Sequence, residues 1–180
     1  AIACSSGTDA LMIALMAKGI GPGDAIFTSP FTYISTAEAI AFLGATPIFV
    51  DIDISTFNID PTALNAAIIA LKEYDLKNST LPKWPVEKLR GLTPKGVITV
   101  DLFGLPADHD RINLIAAEHD LFVLEDAAQG FGGEVNGRRA GTLAEVGCTS
   151  FFPAKPLGCY GDGGALFTND DNLAALFRSI

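Results

Sequence analysis

The other motifs of the chain are arranged around the segment TSFFPAKPLGCYGDGG, residues 149–164. Its apolar start is typical of a buried strand. The strand leads to Lys155, which stands between two prolines and before a glycine-rich loop. Prolines restrict the backbone on both sides of this lysine, a rigidity that a flexible surface lysine would not need. Partial desolvation among apolar and aromatic neighbours would lower the lysine pKa and favour the free amine that attacks carbonyls. Considered alone, the segment still favours an ordinary loop lysine in a surface ion pair.

Strand and helix signals alternate along the whole chain, which predicts an α/β fold with a mainly parallel sheet covered on both faces by helices. Ligands bind such sheets at the carboxyl ends of the strands. Residues 72–95 are less regular, and we expect an extended surface excursion that Trp84 attaches to the body. The predicted strands are 1–4, 25–28, 46–50, 96–102, 121–124, 148–152 and 164–168. The predicted helices are 10–18, 35–42, 61–71 and 108–119, with a last helix that begins near residue 170.

Composition limits the classes of partner. The 180 residues are 49% hydrophobic and 18% charged, which is typical of one globular domain. A formal net charge of −9 argues against nucleic acid and against an anionic membrane surface as partners. Cys4, Cys148 and Cys159 lack a C-x-x-C spacing, so we expect buried free thiols in a reducing compartment. No apolar run reaches membrane-spanning length, and we expect a cytoplasmic protein. Both ends read as cut, which suggests part of a longer polypeptide.

Ser6-Gly7-Thr8 lies between a predicted strand and a predicted helix. Free N–H groups at a helix start, together with the Thr8 hydroxyl, form a cradle that suits a phosphate. An ordinary helix N-cap looks the same. The segment is neither a P-loop nor a dinucleotide fingerprint, because the lysine and the glycine spacing of those motifs are missing.

Further polar and aromatic residues follow the strand ends. Asp126 could hold a proton on a ring nitrogen through a charge-assisted hydrogen bond, although a strand-end carboxylate also commonly caps a turn. Gln129 lies one turn further and could reach the same pocket. Tyr33 could stack on a planar ligand, and Ser150, five residues before Lys155, could serve a neighbouring part of that ligand.

Other site classes are not indicated. His109 and His119 fall on the surface side of a helix pattern and have no Cys or Glu partner at ligand spacing, so we predict no metal. The aromatic side chains of Phe31 and Phe42 are expected in the core. No Gly-x-Ser-x-Gly hydrolase motif is present. A lysine nucleophile, a strand-end acid, a stacking aromatic and a phosphate cradle together predict a site for pyridoxal 5′-phosphate, with Lys155 in the Schiff base.

Five stretches of the sequence match a known family, namely SGTDAL at 6–11, FTY at 31–33, GATP at 44–47, EDAAQ at 125–129 and the run 150–164. On these stretches the chain resembles the DegT/DnrJ/EryC1/StrS family of sugar-nucleotide aminotransferases. The matching pieces run in the family's order, and residues 150–164 look closest to the branch that aminates a UDP-2-acetamido-2-deoxy-3-oxo-hexuronate. The resemblance implies the large domain of fold-type I aminotransferases, a three-layer αβα sandwich with a mainly parallel, mixed sheet.

The resemblance also implies the roles of individual residues. Lys155 would carry the cofactor and move the substrate proton, and Asp126 would pair with the pyridinium nitrogen. Gln129 would lie near the phenolic oxygen and Tyr33 would stack on the ring. The phosphate would be held by Gly7, Thr8 and Ser150.

The implied reaction takes an amino group from L-glutamate and gives it to a nucleotide-linked keto sugar, in a homodimer whose sites lie at the interface. Family members have further N-terminal residues and a small C-terminal domain, both missing from residues 1–180. Three alternatives stay open. One is a cofactor-binding but catalytically incomplete fragment. Another is a sugar dehydratase with the same cofactor, which would have histidine in place of Lys155. The third is a dinucleotide-dependent oxidoreductase.

Overall fold

The computed structural model describes residues 1–73 and 86–180, and in them strands and helices alternate as the sequence predicts. Among these residues, no helix has the length and apolar character needed to cross a bilayer. The strands are β1 Ile2–Cys4, β2 Asp24–Thr28, β3 Thr46–Phe49, β4 Thr93–Val100, β5 Phe122–Asp126, β6 Glu134–Val135, β7 Arg138–Arg139, β8 Val146–Ser150 and β9 Gly164–Phe167. The helices are α1 Gly7–Ala17, α2 Ser35–Phe42, α3 Pro61–Glu73, α4 Val86–Leu89, α5 His109–Glu118 and α6 Asp171–Ser179.

Seven strands form one mixed sheet in the order β1-β9-β8-β5-β4-β2-β3. The pairs from β3 to β8 are all parallel, whereas β9 runs antiparallel to both of its neighbours. The parallel strands therefore place their carboxyl ends along one edge of the sheet, where ligands bind in this type of fold. The predicted mainly parallel, mixed sheet is confirmed.

Each face of the sheet is covered by helices. On one face Leu11 of α1 and Ile40 of α2 pack with Leu124 of β5. On the other face Leu64 of α3 and Ile112 of α5 pack with strand residues that include Val123 of β5. Successive strand residues point to opposite faces, so β5 sends alternate side chains into two separate cores. This arrangement confirms the three-layer sandwich.

Several local predictions need correction. The predicted excursion is wrong at both of its ends, because Lys72 lies in α3, residues 86–89 form α4 and residues 93–95 belong to β4. The rest of the excursion, with Trp84, lies outside the described residues. Phe31 and Phe42 are 45% and 77% exposed, so neither is a core aromatic. The hairpin of β6 and β7 and the short 3₁₀ turn at Leu102–Gly104 were not predicted. Two-residue strands carry too short an alternating pattern to be recognised from sequence.

Candidate active site

One cavity of about 450 Å³ lies at the carboxyl edge of the parallel strands. Cavities of a few hundred cubic ångströms hold small cofactors and substrates. Its wall comes from the start of α1, the turn before α2, the end of β5 and the segment after β8. All of the residues predicted for the site line it, namely Gly7, Thr8, Tyr33, Asp126, Gln129, Ser150 and Lys155.

The first turn of α1 forms one side of the cavity. Ser6 caps the helix, since its side chain accepts a hydrogen bond from Asp9 N at 3.0 Å. The first N–H groups of a helix have no partner within it and attract anions. A Cβ on Gly7 would lie 2.7 Å from the Cβ of Ser150, so glycine is what allows α1 to approach β8 this closely. The contact brings the Ser150 hydroxyl beside the helix start.

Asp126 lies deep in the cavity wall, at the end of β5, and is only 7% exposed. Thr36 Oγ1 donates to its Oδ2 at 2.9 Å, and Ala128 N donates to its Oδ1 at 3.2 Å. Burial raises the pKa of Asp126, whereas these two donors and the charge of Lys155 oppose that rise. The carboxylate is therefore held by fixed donors in a setting that favours binding a cationic partner.

Lys155 and Tyr33 face each other at the mouth of the cavity. The Lys155 Nζ lies 6.0 Å from the centroid of the Tyr33 ring, and the lysine is partly buried. Its backbone N–H donates to Phe152 O at 2.8 Å in a turn that follows β8. Tyr33 is 67% exposed, so its ring is available to a planar ligand.

Gln129 has one half of its amide fixed by the backbone. Phe103 N donates to Gln129 Oε1 at 2.9 Å, and Phe103 itself has a left-handed backbone with φ of 55°. Because Oε1 is occupied in this way, the Nε2 group is the part of the amide left for donation to a ligand.

Asp101, His109 and Glu125 form a second polar group, on the opposite side of the sheet. His109 is 2% exposed, so its predicted surface position is wrong. Its Nε2 lies 3.3 Å from Asp101 Oδ1, and burial lowers the histidine pKa. Potential metal-ligand atoms of the three residues lie within 4.8 Å of one another. The predicted absence of metal stays a prediction.

Backbone donors already use several of these oxygens. Gly141 N and Leu143 N donate to the two oxygens of Glu125, and Ala107 N donates to Asp101 Oδ1. Burial raises the pKa of Asp101 to about 6. Burial, and then the charge of Asp101, raise the pKa of Glu125 to about 7. The two acids therefore retain protons at pH values where exposed acids would lose them.

Replacing Asp101 by asparagine should flatten the pH dependence of stability. Both acids bind protons more tightly in the folded state. Their stabilising contribution is therefore complete below pH 4 and is lost as the pH rises through 6 and 7, by roughly 3 kcal/mol for Glu125 alone. The free energy of unfolding in urea, measured from pH 4 to 8, should fall less steeply in Asp101→Asn. Glu118→Gln, at an exposed position of α5, is the control, and equal slopes for both variants and the unmodified chain would contradict the assignment.

Two functional side chains were missed by sequence reasoning. Thr36 bonds to Asp126 across 90 positions of the chain, and Thr32 bonds to Thr36. Thr36 lies four residues, about one helical turn, beyond Thr32, which lines the cavity. This spacing identifies Thr36 only when its partner Asp126 is already known.

A three-layer sandwich with a lysine, an acid and a helix start around one carboxyl-edge cavity defines the class of fold-type I aminotransferases. The chain belongs to the DegT/DnrJ/EryC1/StrS aminotransferase family, whose model matches residues 1–180.

Individual relatives are similar over nearly the whole chain. A UDP-2-acetamido-2-deoxy-3-oxo-D-glucuronate aminotransferase from Pseudomonas aeruginosa is 50% identical over 181 residues, 99% of this chain and 44% of the relative. The crystal structure of a family aminotransferase from Brucella abortus superposes with a TM-score of 0.90 at 49% identity, over 99% of this chain and 44% of that one. The structure of ntda from Bacillus subtilis with bound cofactor PMP has a TM-score of 0.77 at 34% identity, over 98% of this chain and 34% of that one. The chain thus spans less than half the length of these proteins.

Proposed function

We propose that the protein is a pyridoxal-phosphate-dependent aminotransferase that moves an amino group from L-glutamate to a nucleotide-linked keto sugar. The observation that carries the proposal is the shared cavity of Lys155, Asp126 and the first turn of α1. Similarity to the Pseudomonas aeruginosa relative supports a UDP-linked 3-keto sugar as the acceptor. The corresponding role is amino-sugar synthesis for a surface polysaccharide.

The residues of the cavity fit pyridoxal phosphate by their chemistry. A helix N-terminus with the hydroxyls of Thr8 and Ser150 suits the phosphate. A buried carboxylate suits a protonated ring nitrogen, and a partly buried lysine suits an aldehyde. When bound, the cofactor supplies a ring that accepts electrons from the substrate carbon. A cavity of about 450 Å³ also leaves room for part of a substrate.

The chain's own residues would divide the work. Asp126 would keep a ring nitrogen protonated through a charge-assisted hydrogen bond. Lys155 would hold the cofactor covalently, and its Nζ would carry the proton between the substrate carbon that bears nitrogen and the aldehyde carbon of the cofactor. Tyr33 would cover the ring, and the Nε2 of Gln129 would donate to the phenolic oxygen.

The dehydratase alternative is disfavoured by Lys155, because that reading requires histidine at this position. The experiment below distinguishes an active aminotransferase from an incomplete, cofactor-binding fragment. We further propose that residues 1–180 form the large, cofactor-binding domain. Cys4, Cys148 and Cys159 are free. Cys148 is buried as predicted, whereas Cys4 is half-buried and Cys159 is exposed. Free thiols support a cytoplasmic location.

We also propose a homodimer, without nucleic acid or membrane as partner. Three partly exposed aromatic rings lie together beside the cavity mouth. The centroid of Phe31 is 5.9 Å from that of Phe57 and 6.2 Å from that of Phe103, and these side chains are 45%, 40% and 74% exposed. Clustered apolar surface of this kind is typical of an interface.

L-Glutamate should remove the visible absorption band of the cofactor-loaded protein, and a UDP-linked 3-keto sugar should restore it. The amino group leaves the donor in the first half and reaches the sugar in the second, so the two changes must be sequential. D-Glutamate is the control. A band that L-glutamate leaves unchanged would support the incomplete fragment. Release of a deoxygenated sugar without an amino group would support the dehydratase.

A further inference from the structure

Thr36 is a buried hydroxyl residue that the proposed function does not yet use. It lies in the first turn of α2, is 0% exposed, and its Oγ1 is 2.9 Å from Asp126 Oδ2. On its other side, the Oγ1 of Thr32 lies 3.1 Å away, and either of these two hydroxyls could be the donor. Thr32 itself lines the cavity. A chain of two hydroxyls therefore runs from the cavity wall to Asp126.

The direction of this chain follows from counting protons. An ionised carboxylate only accepts hydrogen bonds, and a threonine hydroxyl has one proton to donate. While Asp126 is ionised, Thr36 must give its proton to Asp126, so Thr36 can only accept from Thr32. If Asp126 takes up a proton, the chain no longer has a fixed direction. The arrangement thus matches one charge state of the acid.

The other contacts of Asp126 leave Thr36 a distinct task. Ala128 N holds Oδ1 from the chain immediately after β5, whereas Thr36 holds Oδ2 from a separate helix. With one donor on each oxygen, the plane of the carboxylate is fixed. Loss of the Thr36 donor would leave Oδ2 without this partner, and the carboxylate could rotate about its bond to the backbone.

We propose that Thr36, supported by Thr32, is a positioning residue that holds the Asp126 carboxylate in one orientation and as a hydrogen-bond acceptor. This inference rests on the proposed function for its catalytic meaning, but the interaction itself concerns only residues of this chain. In a site of this design, the strength of the bond from Asp126 to a ring nitrogen depends on Thr36, although Thr36 does not touch the cofactor.

Other titratable groups around Asp126 set the background for a test. Lys155 faces it across the cavity and lowers its pKa. The thiol of Cys148 lies on the neighbouring strand β8, and its own pKa is raised well above the ordinary value by burial and then by Asp126. Asp101 and Glu125 lie on the other side of the sheet, and the charge of Asp126 contributes to the raised pKa of Asp101. None of these groups changes in a threonine variant.

The test is a pH titration of Asp126 in the full chain without cofactor. Chain labelled with carbon-13 at the aspartate carboxyls is followed by NMR, and the Asp126 signal is assigned by its loss in Asp126→Asn. Thr36→Val keeps the branched shape and removes the donor, and should raise the midpoint by about one to two pH units, as expected for a hydrogen bond to a charged group. Thr36→Ser should restore it. A midpoint in Thr36→Val equal to that of the unmodified chain would overturn the inference.

Two further variants keep the test decisive. Thr28→Val removes another fully buried threonine hydroxyl, which donates to Ile98 O at 3.0 Å and does not touch Asp126; it should leave the midpoint unchanged, and an equal shift would mean a merely structural effect. If Thr36→Val does not fold, Thr32→Val decides, with a smaller upward shift expected and no shift counting against the proposal.

Equilibrium dialysis with pyridoxal phosphate separates this inference from the proposed function. The unmodified chain should bind the cofactor, and Thr36→Val should bind it about 10-fold more weakly near neutral pH. If the unmodified chain binds none, the proposed function fails while the NMR titration still decides the role of Thr36. If the unmodified chain binds and Thr36→Val binds equally well with an unshifted midpoint, only the inference fails.

Discussion

Replacing Lys155 by alanine is expected to remove covalent attachment of the cofactor and to lower the transamination rate by roughly 10⁴-fold or more. Proton transfer by a positioned side chain alone contributes about 10²–10⁴-fold, and the alanine also removes the nucleophile. Borohydride treatment of the loaded, unmodified protein should fix the cofactor on the peptide that contains Lys155. The variant should keep its fold, because the side chain is only partly buried at the cavity mouth.

Lys155→Arg is the matched variant for this experiment. Arginine keeps the positive charge near Asp126 and the approach to the Tyr33 ring, but it does not form the covalent bond. We expect Lys155→Arg to be as inactive as Lys155→Ala while retaining more bound cofactor. A labelled peptide elsewhere in the chain, or full activity in either variant, would remove Lys155 from the mechanism.

Replacing Asp126 by asparagine should leave cofactor binding measurable and lower the rate by about 10²–10³-fold. This is the range found when one electrostatic partner of a developing charge is removed. The amide is close in size to the carboxylate. Its oxygen can still accept from Ala128 N, and its NH2 group can donate to the hydroxyl of Thr36, so the shape of the wall is kept. The missing negative charge no longer favours a protonated ring nitrogen.

Glu125→Gln is the control, because Glu125 is the adjacent residue of β5, is 0% exposed and does not line the cavity. Its substitution should alter the stability of the fold but not the protonation of the ring nitrogen. A rate loss in Asp126→Asn that disappears once the rates are corrected for the folded fraction would mean that Asp126 acts through stability. Unchanged turnover in Asp126→Asn would exclude it from the chemistry.

The sheet and most of the cavity could be predicted from the sequence because their signals are local. The helix at residues 35–42 was predicted with the bounds that the structure has. Residues at strand ends meet at one edge by the rules of parallel sheets alone, which is why Gly7, Asp126 and Lys155 were found despite their separation in the chain. Pieces of motif in a fixed order then identified the family.

What the sequence could not reveal depends on partners far away along the chain. His109 follows a pattern that suggests a surface residue, and only the approach of Asp101 and Glu125 explains its burial. Thr36 is an ordinary helix residue until β5 brings Asp126 to it. Phe31 and Phe42 are large apolar side chains that favour burial, but in the structure they are largely exposed. In each case tertiary packing, rather than local preference, sets the outcome.

The two adjacent acids at the end of β5 make the fold depend on the register of this strand. Asp126 belongs to the face of the cavity and Glu125 to the face of His109, and a slip of β5 by one residue would exchange them. The side chain in the cavity would then be longer by one methylene, and the one beside His109 would be shorter by one. The loop whose Gly141 N and Leu143 N donate to Glu125 would lose these two hydrogen bonds. Variants that change the length of the connections around β5 will therefore fold correctly only where the strand keeps its register.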